Sequence, residues 1–421
     1  MKRFLSILLV LTVSLTATAQ DNDAFSVLYG KVTDSQSGAP VSYASVTLTG
    51  TNISNVTNAD GIFSLKVPAL TEEKATVTLH HLGYLNAVRP VSDFLGATPV
   101  KPLPIVMTPM SIELDSALIR SVDPETLLWT AYRHVRDNYP QKHEHLVAFY
   151  REMIRKGSSK YLALNEAVVD IDKAPYGTSF YSDRASIFKG RGSKDFHASD
   201  TLFVHFQGGI VGTLLGDVVK DPFVGCDLDR VSHCYTLSVD GSAVLDGHEC
   251  FILRFKEIED PDYILYDGCI YIDTQTYAIA RAEYSLNVKG REEKASSRFV
   301  VRKPAGWRCR VEKATYQLNF KQSNGLWHFD YSRMELLFNA KSSRTLFSHN
   351  YTVVSEMAVT DRKDEVFKIT GQEKVKFSDI LSEKVNDFAD PAFWGSYNII
   401  EPDQSIEAAI RRIRRQLKAR N

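Results

Sequence analysis

The chain has 421 residues, a formal net charge of −1 and a charged fraction of 24%, so it lacks the global basic field that would direct it to nucleic acid. Its length suggests two or three domains, and 19 Tyr with 22 Phe suit sheets rather than helix bundles. Beyond the first residues, no apolar run is long enough for a transmembrane helix.

The start reads as an export signal. Lys2 and Arg3 form a charged region, Phe4 to Leu15 is mostly apolar, and Ala17-Thr18-Ala19 is a small-residue cleavage site. The apolar run is too short for a bilayer, which needs roughly 20 residues, and no Cys follows for lipid attachment. Residues 1–19 are expected to be a cleaved signal peptide, with Gln20 opening the mature chain in the periplasm or at the outer membrane.

Residues 20–110 are expected to form a small β-sandwich. Turn residues at Asp34-Ser35, Gly38-Ala39-Pro40, Asn52 and Asn58-Ala59-Asp60-Gly61 separate short β-rich runs. Further strands are predicted over Ala75 to Leu82 and Leu103 to Met107. Gly30-x-Val32-x-Asp34, Gly38-x-Pro40, Ala44-x-Val46, Gly50-Thr51, Thr57-Asn58-Ala59-Asp60-Gly61-x-Phe63 and Leu82-Gly83-Tyr84 resemble the carboxypeptidase-like regulatory domain. The resemblance implies a transthyretin-like fold at the mature N-terminus of a Bacteroidota-type envelope protein. It covers about Val27 to Met110 and implies no catalysis, since this domain accompanies catalytic modules without being one.

Zinc peptidase chemistry needs His and carboxylate ligands, an open coordination position and a general base. The sequence has no His-Glu-x-x-His. His134-x-x-Asp137 and His197-x-x-Asp200 only approximate His-x-x-Glu. His143-Glu144-His145 is compact, but adjacent residues on a strand point to opposite faces, and a solvated loop is expected there. No Gly-x-Ser-x-Gly elbow or phosphate loop appears. No catalytic, cofactor-binding or metal residue is therefore assigned.

Residues 111–145 are read as a linker and a helix. Asp123 caps the helix, Pro124 suits its first turn, Glu125 complements its dipole, and Leu127, Leu128, Ala131 and Val135 line one face. Trp129 and His134 are expected to be packing and surface residues. Asp115-Ser116-Ala117 and Asp200-Thr201-Leu202 resemble the O-glycosylation motif of Bacteroidota envelope proteins.

Residues 146–360 are expected to form a large antiparallel β domain. Ala148 to Glu152 and Tyr161 to Asp170 read as strands, with Arg151, Glu152, Glu166 and Asp170 on a solvated face. Lys189 to Lys194 reads as a mobile loop. Phe206 to Gly212 reads as a turn with a short apolar insertion, the best candidate for a membrane-facing or lid-like element. Gly247 to Leu286 alternates as a meander turning at Glu259 and Asp260, a register that sets Cys250 opposite or diagonal to Cys269 on a shared face. Five cysteines leave at least one outside any intrachain bridge. Ser297 to Arg302, Val311 to Phe320, Trp327 to Phe338 and Arg344 to Val354 continue the sheet, with Asn324-Gly325 as a hairpin turn.

This strand pattern, with the Tyr271-Ile272-Asp273 to Arg281 hairpin, resembles the LolA-like half-barrel, whose sheet wraps an apolar cavity for acyl chains. Residues 361–421 form a C-terminal extension. In it Phe393 and Trp394 are expected to plug the tail against the sheet, and a basic amphipathic helix begins at a Ser405 cap with Ile406, Ile410, Ile413 and Leu417 as its stripe. Phe393 to Pro402, with the first two strands of the β domain, resembles Bacteroidota envelope proteins that pair a regulatory domain with a large β domain.

The fold expected is mainly β. The function expected is that of a non-enzymatic cell-envelope binding or assembly protein handling a lipid or glycan, with an outer-membrane protein as a further partner. Two alternatives are an accessory of a TonB-type uptake system and a hydrolase whose site is assembled from distant residues.

Overall fold

The computed structural model describes residues 24–110, 122–157, 160–177, 182–194, 205–206, 209–220, 223–260, 263–302, 305–363, 365, 367–379, 381–385 and 393–420. The expected signal peptide, Gln20 and both Asp-Ser/Thr motifs lie outside the described residues.

Seven short strands build the N-terminal unit: β1 (Phe25–Asp34), β2 (Ser45–Leu48), β3 (Ser54–Val56), β4 (Ile62–Pro68), β5 (Thr76–His80), β6 (Ala87–Pro90) and β7 (Leu103–Met107). They form a three-stranded sheet, β4-β1-β7, and a four-stranded sheet, β3-β2-β5-β6. Alternate residues meet between the two, with Leu28, Val32, Phe63 and Leu65 buried against Val46, Leu48, Val77 and Leu79. The Asn58–Gly61 turn shows why its sequence is so constrained. The Asn58 side-chain oxygen accepts from the amides of Asp60 and Ile62, both at 2.9 Å. Gly61 sits at φ 73°, where a Cβ would strike the Val32 carbonyl oxygen, so only glycine is accommodated.

The second unit adds β8 (Glu144–Lys156), β9 (Lys160–Lys173), β10 (Arg184–Lys194), β11 (His205–Phe206), β12 (Tyr235–Leu245), β13 (His248–Glu257), β14 (Tyr266–Asp273), β15 (Ile279–Leu286), β16 (Val300–Arg302), β17 (Trp307–Ser323), β18 (Leu326–Ser342) and β19 (His349–Lys363). Ten of them form one open sheet in the order β10-β9-β8-β19-β18-β17-β15-β14-β13-β12, while β11 and β16 pair separately. The helices are α1 (Pro124–Arg133), α2 (Val135–Asn138), α3 (Gly209–Leu215), α4 (Val231–Cys234), α5 (Glu292–Ser296) and α6 (Gln404–Arg420). Asp123 caps α1 by accepting from the Thr126 amide at 2.8 Å.

Helices cover one face of the large sheet. Leu127 and Leu128 of α1 and Ile210 and Leu214 of α3 are buried in one cluster with Tyr150, Leu253, Phe255, Ile270, Ala282 and Leu318. This face is thus occupied by the protein's own side chains. Of Phe206 to Gly212, expected as a turn with a short apolar insertion, Gln207 and Gly208 lie outside the described residues, and Gly209 instead opens α3, whose Ile210 and Leu214 belong to this core. A buried ion cluster fastens the segment after α3: Lys173 Nζ donates to Asp183 at 2.8 Å and to Asp217 at 2.6 Å, and Tyr176 donates to Asp217 at 2.8 Å.

The meander is made of β13, β14 and β15, but its register differs from the expected one. Cys250 pairs with Asp273, and Cys269 with Arg254. The two cysteines lie on neighbouring strands, four residues out of step. Side chains close this connection in place of a tight turn: the Glu257 carboxylate accepts from the Leu265 amide at 2.7 Å, and Asp267 accepts from the Glu257 amide at 2.8 Å. The bridge falls elsewhere, joining Cys226 to Cys234 across α4, while Cys250, Cys269 and Cys309 are buried thiols.

Other expectations also change. Lys189 to Lys194 is the end of β10, where Gly190 and Gly192 let the strand run close to β9 and Val385. Residues 343–348 form a tip before β19, and Glu292–Ser296 is helical ahead of the short β16. Asn324-Gly325 does turn the β17–β18 hairpin, with φ 52° and 80°. α6 is capped by Asp403, which accepts from the Ile406 amide at 2.8 Å, while the Ser405 hydroxyl donates to the same carboxylate at 2.7 Å.

Candidate functional site

Strand register places one row of polar side chains across the face opposite α1 and α3. The pairs run Arg254–Cys269, Cys269–Glu283, Glu283–Gln317, Gln317–Arg333, Arg333–Glu356, Glu356–Arg151, Arg151–Glu166 and Glu166–Arg191. Directly opposed residues share a face, so the row crosses from β13 to β10 on this outer face.

One half of the row is covered. Arg151 donates through Nε and Nη2 to Glu166 at 2.9 and 2.8 Å, and through Nη1 to Glu356 at 3.2 Å. Arg191 donates to the other Glu166 oxygen at 2.9 Å. Burial works to neutralise Glu166, but Arg151 and Arg191 outweigh it and hold the carboxyl below its usual range. Arg151 and Glu166 therefore form a closed ion cluster, correcting the expectation of a solvated sheet face.

The cover has three parts, one of them α6, whose Ile406, Ile410 and Ile413 pack on Met153, Leu164 and Val354. A strap, residues 393–402, lays Trp394 against Phe149 with ring centroids 5.5 Å apart and against the Arg191 guanidinium at 4.9 Å. Its Ile400 carbonyl accepts from Arg151 at 2.7 Å. The strap also grips the sandwich: Asn398 accepts from the Lys66 amide at 2.7 Å and donates to the Lys66 carbonyl at 3.1 Å. The sandwich itself forms the third part. Ser54 donates to the Val359 carbonyl at 2.9 Å, and Tyr43 stacks on Tyr331 with centroids 5.9 Å apart.

The other half is open. Arg254, Asp267, Cys269, Glu283, Ser285, Thr315, Gln317, Arg333 and Glu335 line a groove of about 480 Å³. From β13 to β18 it spans four strand spacings, about 19 Å. Arg254, Glu283 and Arg333 are each held in place by a neighbouring charge. Arg254 pairs with Asp240, Arg281 with Glu283, and Arg333 with Glu356 and Glu335, the last two at 3.2 Å. Burial opposes the Arg333 charge, but Tyr331 and Glu356 hold its pKa above the usual arginine range. The floor thus offers fixed donors and acceptors with little net field. Cys269 is a poor nucleophile here, because burial pushes its thiol pKa up.

Of the histidines singled out in sequence, His197 lies outside the described residues, and His134, His143 and His145 do not converge. His143 engages Asp172, while His145 is held between Asp170 at 2.8 Å and Glu365 at 2.9 Å. His134 pairs with Asp137 at the end of α1. Among the described residues, no group of three or more His, Cys, Asp or Glu side chains is placed to hold a metal ion.

Sequence reasoning missed the groove because each of its residues is an ordinary outward position on its own strand. Arg254 and Glu283 lie in the alternating runs of the meander, yet nothing local says that they share a row. That fact resides in the pairing register across four hairpins or crossovers.

Residues 28–119 match the family model of the CarboxypepD_reg-like domain. The N-terminal sandwich is a CarboxypepD_reg-like domain. No curated protein matches the chain. Among solved structures, a DUF1329 family protein from Desulfovibrio piger ATCC 29098 is similar at 14% identity over 56% of this chain and 94% of that one, with a TM-score of 0.25. MucB is similar at 13% identity over 56% and 93%, with a TM-score of 0.20. MucB in complex with MucA(peri) gives 13%, 56%, 94% and 0.18. In this chain the CarboxypepD_reg-like domain is seated on the outer face of the large sheet, beside the open groove.

Proposed function

We propose that the protein is a non-enzymatic binding protein of the cell envelope and that the outer-face groove takes a glycan. The observation carrying this reading is the row Arg254, Glu283, Gln317 and Arg333, whose charged members are each paired with a neighbouring side chain and which is uncovered along about 19 Å of sheet. A sugar hydroxyl both donates and accepts hydrogen bonds. A floor of fixed guanidinium, carboxylate and amide groups answers both roles without reorganising. Among the described residues, the apolar helical face is packed by α1 and α3, which disfavours an acyl chain there. The expected lipid-carrying role therefore has less support than the glycan role.

Binding is favoured over hydrolysis by the state of the groove's groups. Glu283 and Glu335 are matched with arginines, Asp267 accepts from the Glu257 amide, and the Cys269 thiol is raised in pKa. A general acid or base needs a pKa poised near the working pH.

The test is calorimetric titration of the mature chain with an N-acetylglucosamine tetramer, a set of muropeptides and a fluorescent palmitate. The expected result is saturable binding to at least one glycan. Gln317→Trp, which fills the groove, should weaken it at least ten-fold with an unchanged melting temperature. Saturable palmitate binding without any glycan binding would overturn the proposal.

A further inference from the structure

We infer that the end of the sheet remote from the CarboxypepD_reg-like domain docks on an anionic lipid surface, through the β18–β19 tip. The tip carries Leu346 and Phe347, which are 87% and 76% exposed. Two adjacent large apolar side chains held in water at a hairpin tip are an uncommon expense for a soluble domain. The tip is also shaped. The Arg344 amide donates to the Ser342 hydroxyl at 3.2 Å, and the Thr345 hydroxyl lies 3.2 Å from the Ser342 carbonyl and 3.1 Å from that of Phe347.

Charge says what the tip meets. Arg344 and Lys341 are exposed beside it, and Arg308 pairs across from Lys341. Further along the same end, Lys156 opposes Tyr351, and Lys160 opposes Lys156 across the β8–β9 turn. α6 brings Arg412 to the carbonyl of Tyr161 at 2.9 Å, next to Lys160, with Arg415 exposed a turn later. Among the described residues, the acidic groups at this end are Glu312, exposed on β17, Glu293, exposed on α5, and Glu292, which pairs with Arg310 at 3.3 Å. The cations outnumber them. Apolar residues to enter the acyl boundary, ringed by cations for headgroup phosphates, are what interfacial attachment requires.

Geometry leaves this end free to approach a surface. The sandwich contacts β18 at Tyr331, and Ser342 lies eleven residues further along the strand, roughly 36 Å away. The glycan groove faces sideways from the sheet, so this inference does not rest on the groove reading. A protein attached at the tip would hold the sandwich and groove away from the membrane.

The experiment is co-sedimentation of the mature chain with vesicles of 30% phosphatidylglycerol in phosphatidylethanolamine, and with neutral phosphatidylcholine vesicles. Binding to the anionic vesicles is expected, with a partition coefficient that falls as salt is raised. Leu346→Ser with Phe347→Ser should lower it at least ten-fold, with the circular dichroism spectrum and melting temperature unchanged. Lys341→Glu with Arg344→Glu should lower it similarly and flatten the salt dependence. Wild-type protein that ignores anionic vesicles, or tip variants that bind like wild type, would overturn the proposal. So would a dimer in sedimentation velocity that is lost in the tip variant while vesicles are not bound, since a second copy would then be the occupant.

Discussion

The Arg151–Glu166–Arg191 cluster shows how sequence and structure part company at the level of single residues. Alternation on β8 and β9 correctly sorts their two faces, yet the polar face is not solvated, because a segment more than 220 residues later folds over it. No local pattern carries that fact. A buried, doubly paired carboxylate depends on its partners, so Glu166→Gln should cost about 3–5 kcal/mol in urea unfolding, the usual loss when one member of a buried pair is removed. Its pH dependence has a definite sign. Glu166 is held below 4.5 in the folded state, so its contribution is complete above that value and is lost as pH falls through the folded pKa. Glu166→Gln should flatten this acid limb.

Lys66 has the same sense in an alkaline window. Burial brings its pKa down to about 8, with Glu401 opposing the shift. Between about 8 and 10.5 the unfolded chain binds more protons, so stability should rise with pH through that window. Lys66→Met should remove the rise, and urea unfolding at pH 7, 9 and 10.5 checks it.

Elements were legible where a signal was local. The sandwich turns, the α1 cap, the Asn324-Gly325 hairpin and the strands of the meander all follow from turn chemistry and period-two patterning. What failed was register. The β13–β14 connection is closed by Glu257 and Asp267 side chains, and a count that assumes a tight turn misplaces Cys269 by four residues. The apolar run after Phe206 failed differently, since a short apolar stretch reads alike whether it is a lid or a core helix.

The cysteine arrangement gives a sharp check on the observed elements. Oxidised protein denatured without reductant should titrate three thiols, from Cys250, Cys269 and Cys309, and the native protein should react slowly with the same reagent. A value of one thiol would mean a second bridge and a different meander. Replacing Cys226 and Cys234 by Ser should cost about 2–3 kcal/mol, the loop-entropy expectation for so short a closure.

At the scale of the whole molecule, the large sheet has two differently used faces. The helical face is the core. The outer face is divided between a covered half, sealed by the strap, α6 and the CarboxypepD_reg-like domain, and an open half bearing the groove. Trp394 is the strap's anchor on the sheet, so Trp394→Ala should cost about 3–5 kcal/mol. It should also expose Arg151 and Glu166 to solvent, visible as faster amide exchange along β8 and β9. The family of the sandwich could be read from its turns, but its seat on the sheet could not, because those contacts join Ser54 to Val359 and Asn398 to Lys66 across the length of the chain.

The central claim, that the open half of the outer face is a glycan-binding groove, is tested most directly by hydrogen-exchange mass spectrometry with and without a glycan identified by titration. Protection should appear in peptides covering Arg254, Glu283, Gln317 and Arg333, on four separate strands at once, and leave α1 and α3 unchanged. Protection confined to the helices, or to the sandwich alone, would contradict it.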